Sequence, residues 1–156
     1  MPPGPAVLPR ILVQEAPFDI GAETARLGDG RTDVGGIASF LGVCRGDDGL
    51  AAMVLEHYPG MTERALARIA SEACARWPLT GCTVIHRHGR LVPGDPIVLV
   101  LTASAHRMAA LDSCAFLIDW LKTKAPFWKH EEFADGSTRW VDAKTEDDAA
   151  AARWAG

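Results

Sequence analysis

The chain has four lysines, and three of them fall in one short run, Lys122-Thr123-Lys124-Ala125-Pro126-Phe127-Trp128-Lys129. Ammonium groups hold anions and move protons, and one buried among aromatic rings has a lowered pKa and can act as base or nucleophile. Lys122 and Lys124 fall in the last turn of a predicted helix, where the dipole favours cations, so they also have a structural reason to be there. Lys129 has none: it follows a proline in an aromatic-flanked strand, where a solvated surface lysine is the alternative. A second group is Ser104-Ala105-His106-Arg107, at the start of the same helix. Cations are disfavoured at a helix N-terminus, whose free N–H groups bind phosphate or carboxylate well, so His106 and Arg107 make sense beside an anion. An arginine paired to a nearby carboxylate is the structural alternative. Arg45, ending a strand beside the Gly46–Gly49 turn, reads as a surface arginine unless other site residues join it. His86 and His88 form H-x-H on a strand and share a face, but no third ligand is evident, so no metal site is expected. His57 reads as structural. Cys44, Cys74, Cys82 and Cys114 contain no CxxC pair and read as reduced, small apolar side chains.

The elements that must position these groups follow from pattern. Strands are predicted over 10–14, 34–45, 51–58, 82–88 and 97–102, the last apolar at successive positions as in a strand buried on both faces. A short helix is predicted over 20–27. A longer one covers 60–77, with Thr62 as N-cap and Leu66, Ile69, Ala70, Ala73 and Trp77 on one face. Another covers 105 to about 124, capped by Ser104 and ended near Pro126. Two hairpins are predicted: 34–45 with 51–58 around Gly46-Asp47-Asp48-Gly49, and 127–133 with 138–143 around Asp135-Gly136. A short helix is expected to begin at Thr145. Alternating elements flanked by hairpins give a mixed α+β class. Residues 1–9, with four prolines, read as a flexible arm, and 10–156 as one domain.

The formal net charge is −4, which argues against a general nucleic-acid binder. Residues 86–130 nevertheless carry six Lys+Arg against three Asp+Glu and four of the five histidines. That is a local anion site in an acidic protein, not a polyanion surface. No apolar run is long enough to cross a membrane, and the first residues lack a signal-peptide pattern, so a cytoplasmic protein is expected.

The stretches LEHYPGMTE (55–63), VIHRHGRLVPGD (84–95), TASAHR (102–107) and LKTKAPFWKHE (121–131) resemble the large, catalytic subunit of molybdopterin synthase. The resemblance runs in order from about residue 10 to Trp154. It implies an α/β-hammerhead fold with an additional antiparallel β subdomain. It also implies a homodimer in which each copy binds a small ubiquitin-like subunit, giving a heterotetramer. That subunit's C-terminal Gly-Gly thiocarboxylate would supply two sulfurs to cyclic pyranopterin monophosphate, a sulfurtransferase reaction of molybdenum cofactor biosynthesis. Carried over by position, the resemblance implies Lys122 and Lys129 as catalytic, and Arg45, His106 and Arg107 as substrate-binding, with Val43, Cys44, His130 and Glu131 beside them. It implies no metal and no redox cofactor. The sequence departs from the family at Gly46, where a short turn replaces a longer polar loop. A non-catalytic module that docks a ubiquitin-like partner or a phosphate ligand is the alternative.

His106 and Lys122 lie 16 residues apart on one predicted helix. At about 100° and ~1.5 Å per residue they differ by roughly 160° around the axis and about 24 Å along it. One copy cannot bring both to one small pterin. The expectation is therefore a homodimer with two composite sites, Lys122, Lys129 and Arg45 from one copy facing His106 and Arg107 of the other. The alternatives are a helix broken midway, or a His106 that serves only the fold.

Overall fold

The computed structural model describes residues 7–141 and Trp154. The first six residues of the proline-rich arm and the helix expected from Thr145 lie outside the described residues. Among the described residues are eight strands and three helices: β1 (Arg10–Gln14), α1 (Ile20–Gly28), β2 (Gly36–Val43), β3 (Leu50–His57), α2 (Met61–Arg76), β4 (Leu79–Arg87), β5 (Gly89–Leu91), β6 (Pro96–Ser104), α3 (Arg107–Thr123), β7 (Phe127–Phe133) and β8 (Thr138–Val141). They form two four-stranded sheets, β1-β4-β6-β2 and β5-β3-β7-β8. The first is mixed, with β1 parallel to β4 and the other pairs antiparallel. The second is wholly antiparallel, so the chain has the mixed α+β class with an added antiparallel sheet.

The helix periodicity of α2 and α3 decides the layers. Ile69, Ala70 and Ala73 of α2 and Ala110, Cys114, Phe116 and Leu117 of α3 pack on Ala38, Val84, Val98 and Val100 of the first sheet. Leu27 of α1, with Phe18 and Ile20, covers the opposite face at Ile85, Leu99 and Leu101. Central β6 is thus buried on both sides from Val98 to Ser104, as its unbroken apolar run predicts. A third cluster of Cys44, Met53, Leu55 and Leu91 joins the two sheets.

Three local expectations are corrected. The hairpin of 34–45 with 51–58 does not form: β2 pairs only with β6, and β3 lies in the other sheet between β5 and β7. At a register shift after Gly42 the chain leaves β2, Cys44 N–H donates to Asp95 O at 2.8 Å, and the turn through Asp48 (φ 54°) and Gly49 (φ 77°) carries it across. Burial decides this, because Ala52, Met53 and Leu55 are covered in the second sheet. Thr62 is not the N-cap of α2. Gly60 holds that position and receives Glu63 Oε2 on its N–H at 3.1 Å, while Thr62 lies wholly buried inside the first turn. Likewise His106, not Ser104, is the N-cap residue of α3. Ser104 Oγ accepts from His106 N–H at 3.1 Å and donates to Pro78 O at 2.8 Å.

Candidate functional site: cations at the two ends of one helix

α3 runs unbroken from Arg107 to Thr123, so its ends hold different parts of the expected site. At its start, His106 and Arg107 are exposed, no side chain caps the free N–H groups, and the first turn holds no acid. This leaves the positive end of the helix open to an anion. The loop is set by Gly35, whose N–H donates to Ser104 O at 2.9 Å. A Cβ on Gly35 would lie 2.9 Å from the carbonyl carbon of Ala105 and closer still to its oxygen, so only glycine permits this approach.

The other end of α3 gathers the remaining groups. Lys122 is exposed in the last turn and Lys124 is the C-cap residue. Lys129 follows on β7, half-buried and opposite Leu55. Cys44 lies buried where β2 ends, close enough to Lys129, Glu131 and Asp95 to feel their charges. Burial pushes the Cys44 thiol up, Asp95 and Glu131 add to that, and Lys129 opposes it. A protonated, buried thiol agrees with a packing role for Cys44. Arg45 and Val43, on either side of it, are exposed. Arg45 Nε meets Asp47 Oδ2 at 2.5 Å, a partner the sequence reading missed although it stands two residues away in the same turn.

Strand alternation sorts the β7 residues. Lys129 and Glu131 share the face of Leu55 and Met53, and Glu131 accepts from Arg139 at 2.9 and 3.3 Å. His130, between them, points to the opposite face, where its ring lies 4.9 Å from Trp140. Adjacent in sequence to the catalytic candidates, it is not brought to their side of the strand.

Two further residues hold this end in place, in roles other than the cap and the H-x-H pair that the sequence suggests for them. Thr62 Oγ1 donates to Pro126 O at 3.1 Å and accepts from Tyr58 N–H at 3.0 Å, tying α2 to the segment between Lys122 and Lys129. His86 stacks on Phe127 with centroids 3.9 Å apart and 20° between planes. Its Nδ1 lies 2.8 Å from Arg87 O, which can only accept, so Nδ1 carries the proton. Burial lowers its pKa to about 4, and the charge of Lys122 acts in the same direction. His86 is therefore a neutral ring facing the lysine end of α3. His88 packs on His57 at 4.2 Å, and no group of three or more metal-ligating side chains exists among the described residues.

The opposite ends of the first sheet carry the same separation. Gly36 pairs with Ser104 beside His106, and Val43 pairs with Pro96 beside Arg45. Seven residues of strand span about 23 Å, which matches the ~24 Å along the helix. One copy thus keeps two groups of candidate residues apart: His106 and Arg107 at one end, Arg45, Lys122, Lys129 and Glu131 at the other.

Comparison with known proteins bears on the fold and the family. A family model described as MoaE protein matches residues 13–124. A molybdopterin synthase catalytic subunit from Mesorhizobium japonicum is 55% identical over 148 residues, covering 94% of this chain and 93% of that protein. Among solved structures, a molybdopterin biosynthesis MoaE protein from Burkholderia ambifaria superposes with a TM-score of 0.81 at 51% identity, over 94% of this chain and 97% of that one. Molybdopterin synthase from Staphylococcus aureus superposes with a TM-score of 0.75 at 26% identity, over 85% and 96%. Fold, motifs and relatives agree, and the chain belongs to the MoaE protein family.

Proposed function

We propose that this chain is the catalytic subunit of a molybdopterin synthase, a sulfurtransferase of molybdenum cofactor biosynthesis. The observation that carries the reading is that one helix holds an open, cationic N-terminus at one end and a cluster of site cations at the other. The substrate is cyclic pyranopterin monophosphate, and each sulfur arrives as the thiocarboxylate at the C-terminal Gly-Gly of a small ubiquitin-like subunit. Both are anions, and both need cationic contacts where they meet. Arg107 and His106, on the free N–H groups of α3, bind the phosphate and pterin, and Arg45 adds a guanidinium suited to bidentate phosphate contact. Lys122 and Lys129 orient the thiocarboxylate, move protons, and stabilise the oxyanion of the tetrahedral intermediate. Val43, Cys44 and Glu131 line the approach. No step in this scheme calls on a metal or redox cofactor.

The two half-sites are united by a second copy. β2 is an edge strand of its sheet, with Leu41 and Val43 exposed on it and Met108 and Leu111 exposed on α3. Antiparallel pairing of β2 with its counterpart about Ser39 and Phe40 brings Arg45 beside the partner's Gly35, and so beside the partner's His106. The same two-fold axis creates two equal sites. Reconstitution with thiocarboxylated partner and cyclic pyranopterin monophosphate tests the activity: dithiolene product is expected. Partner binding without product, where a known enzyme turns over, would favour a docking module. Mixing inactive His106→Ala and Lys122→Ala proteins tests the assembly. A mixed dimer has one site with both lesions and one with neither, so part of the activity returns. No recovery, with subunit exchange confirmed, would place both residues in one copy's site or remove one from catalysis.

A further inference from the structure

Glu131 is an unexpected neighbour in a site built to receive an anion. It lies two residues from Lys129 on the same face of β7, with Cα atoms about 7 Å apart. Both side chains are long enough to meet over that gap, and an ion pair there would set the carboxylate against the thiocarboxylate for one ammonium. Its charge would also repel the incoming anion. In the structure Glu131 turns across the ladder instead. Arg139 stands directly opposite it on β8, and Arg139 Nε and Nη2 both donate to Glu131 Oε1, at 3.3 and 2.9 Å. The guanidinium also lies over the Phe133 ring, 5.3 Å from its centroid, so ring and carboxylate fix it together. The Glu131 side chain is 16% exposed and that of Arg139 66%, so the arginine covers the carboxylate from the solvent side.

We propose that Arg139 is a positioning residue for sulfur transfer: it holds the Glu131 carboxylate to itself, so that neither the charge nor the oxygens of Glu131 compete with the thiocarboxylate for Lys129. The inference rests on the reading of Lys129 as a lysine that orients that anion. A cross-strand ion pair with one exposed partner adds little to stability, so the arrangement acts on the charge of the site more than on the fold. Arginine suits the task, because its planar fork grips a carboxylate in a fixed orientation and stays charged across the working pH range. The other ionisable groups around Lys129 are His57, on the same face of β3, and Cys44 and Asp95, where β2 ends and the turn before β6 meets it. Arg139 is the cation that β8 contributes to this face.

Two measurements on the full-length chain test this. The first needs no substrate: the four lysines are reductively methylated with a carbon-13 label and titrated by NMR, the Lys129 signal being identified by its loss in Lys129→Arg. Arg139→Met uncovers the Glu131 charge. A unit charge about 7 Å away in water-like surroundings moves a titration by roughly 0.4 unit, so the Lys129 midpoint should rise by about that much. Adding Glu131→Gln to Arg139→Met should return it to the wild-type value. The second is turnover: Arg139→Met should raise KM for the thiocarboxylated partner about threefold with kcat little changed, and Arg139→Lys should recover most of that loss. An unmoved midpoint in Arg139→Met, a shift that persists in the double variant, or a fall in kcat with KM unchanged would each overturn the proposal. If Arg139→Met fails to fold, Glu131→Gln alone decides: the unpaired guanidinium should lower the Lys129 midpoint, and no change refutes the coupling. Absence of turnover in wild type would overturn the activity, and this role with it; turnover in wild type with an unmoved midpoint would overturn the role alone.

Discussion

Replacing His86 by Phe should remove most of the acid sensitivity of the fold between pH 8 and pH 5. The ring is buried and neutral, stacked on Phe127, and burial lowers its pKa from 6.5 to about 4. The unfolded chain binds the proton with the higher pKa, so acid favours unfolding. Stability from this group is complete above pH 6.5, falls as pH drops towards 4, and is constant below that. With pKa values of 6.5 unfolded and about 4 folded, the loss at pH 5 is about 2 kcal/mol, and the limit at lower pH is roughly 3 kcal/mol. Phenylalanine keeps the stack on Phe127 and removes the titrating nitrogens. Loss of the Nδ1 bond to Arg87 O costs about 1 kcal/mol, but equally at both pH values, and so cancels in the difference. The assay is urea unfolding of wild type and variant at pH 8 and pH 5. His88, also lowered by burial, leaves a smaller dependence of the same sign in the variant. If His86→Phe loses as much stability between the two pH values as wild type, the ring is not held neutral by its site and the reasoning fails.

Lys122→Ala and Lys129→Ala should each lose most turnover while urea unfolding shifts by about 1 kcal/mol or less, because neither is a core position; near-normal turnover would remove that lysine from the mechanism. Arg107→Ala should mainly raise KM for the pterin through a lost phosphate contact, with kcat less affected. Thr62→Val strands Pro126 O and Tyr58 N–H and should cost roughly 2–4 kcal/mol in unfolding. Gly35→Ala forces the Ala105 carbonyl aside; activity should fall more than Tm, since the displaced loop carries His106.

What was legible in the sequence was whatever a short window contains. The unbroken apolar run of β6, the 3.6-residue stripe of α2 and the Asp135-Gly136 turn between β7 and β8 each form as their patterns predict. The misread hairpin shows the limit. The Gly46–Gly49 turn has the composition of a hairpin, but β2 takes its partner from β6, more than fifty residues onward, and no local signal names that partner. Thr62 and Ser104 show the same limit. Each has the residue type of a cap, yet each binds a carbonyl far along the chain, at Pro126 and Pro78. In the site, the cations were visible by type and the separation of His106 from Lys122 followed from helix geometry alone. The face of His130 was also available from strand alternation, once Lys129 was given the inward side.

The open edge of β2 has a consequence for the life of a newly made chain. A strand with free backbone donors and acceptors, carrying exposed Leu41 and Val43, is a template for any other extended segment. If the chain pairs as proposed, a protomer that has folded but not found its mate is a sticky species, and its hazard grows with the time spent alone. Substitutions that weaken pairing without unfolding the chain should therefore show first as inclusion bodies and proteolytic loss in the cell, before any purified sample reports a catalytic defect. A charge on that edge, such as Leu41→Lys, should yield a soluble monomer where a merely smaller side chain yields aggregate.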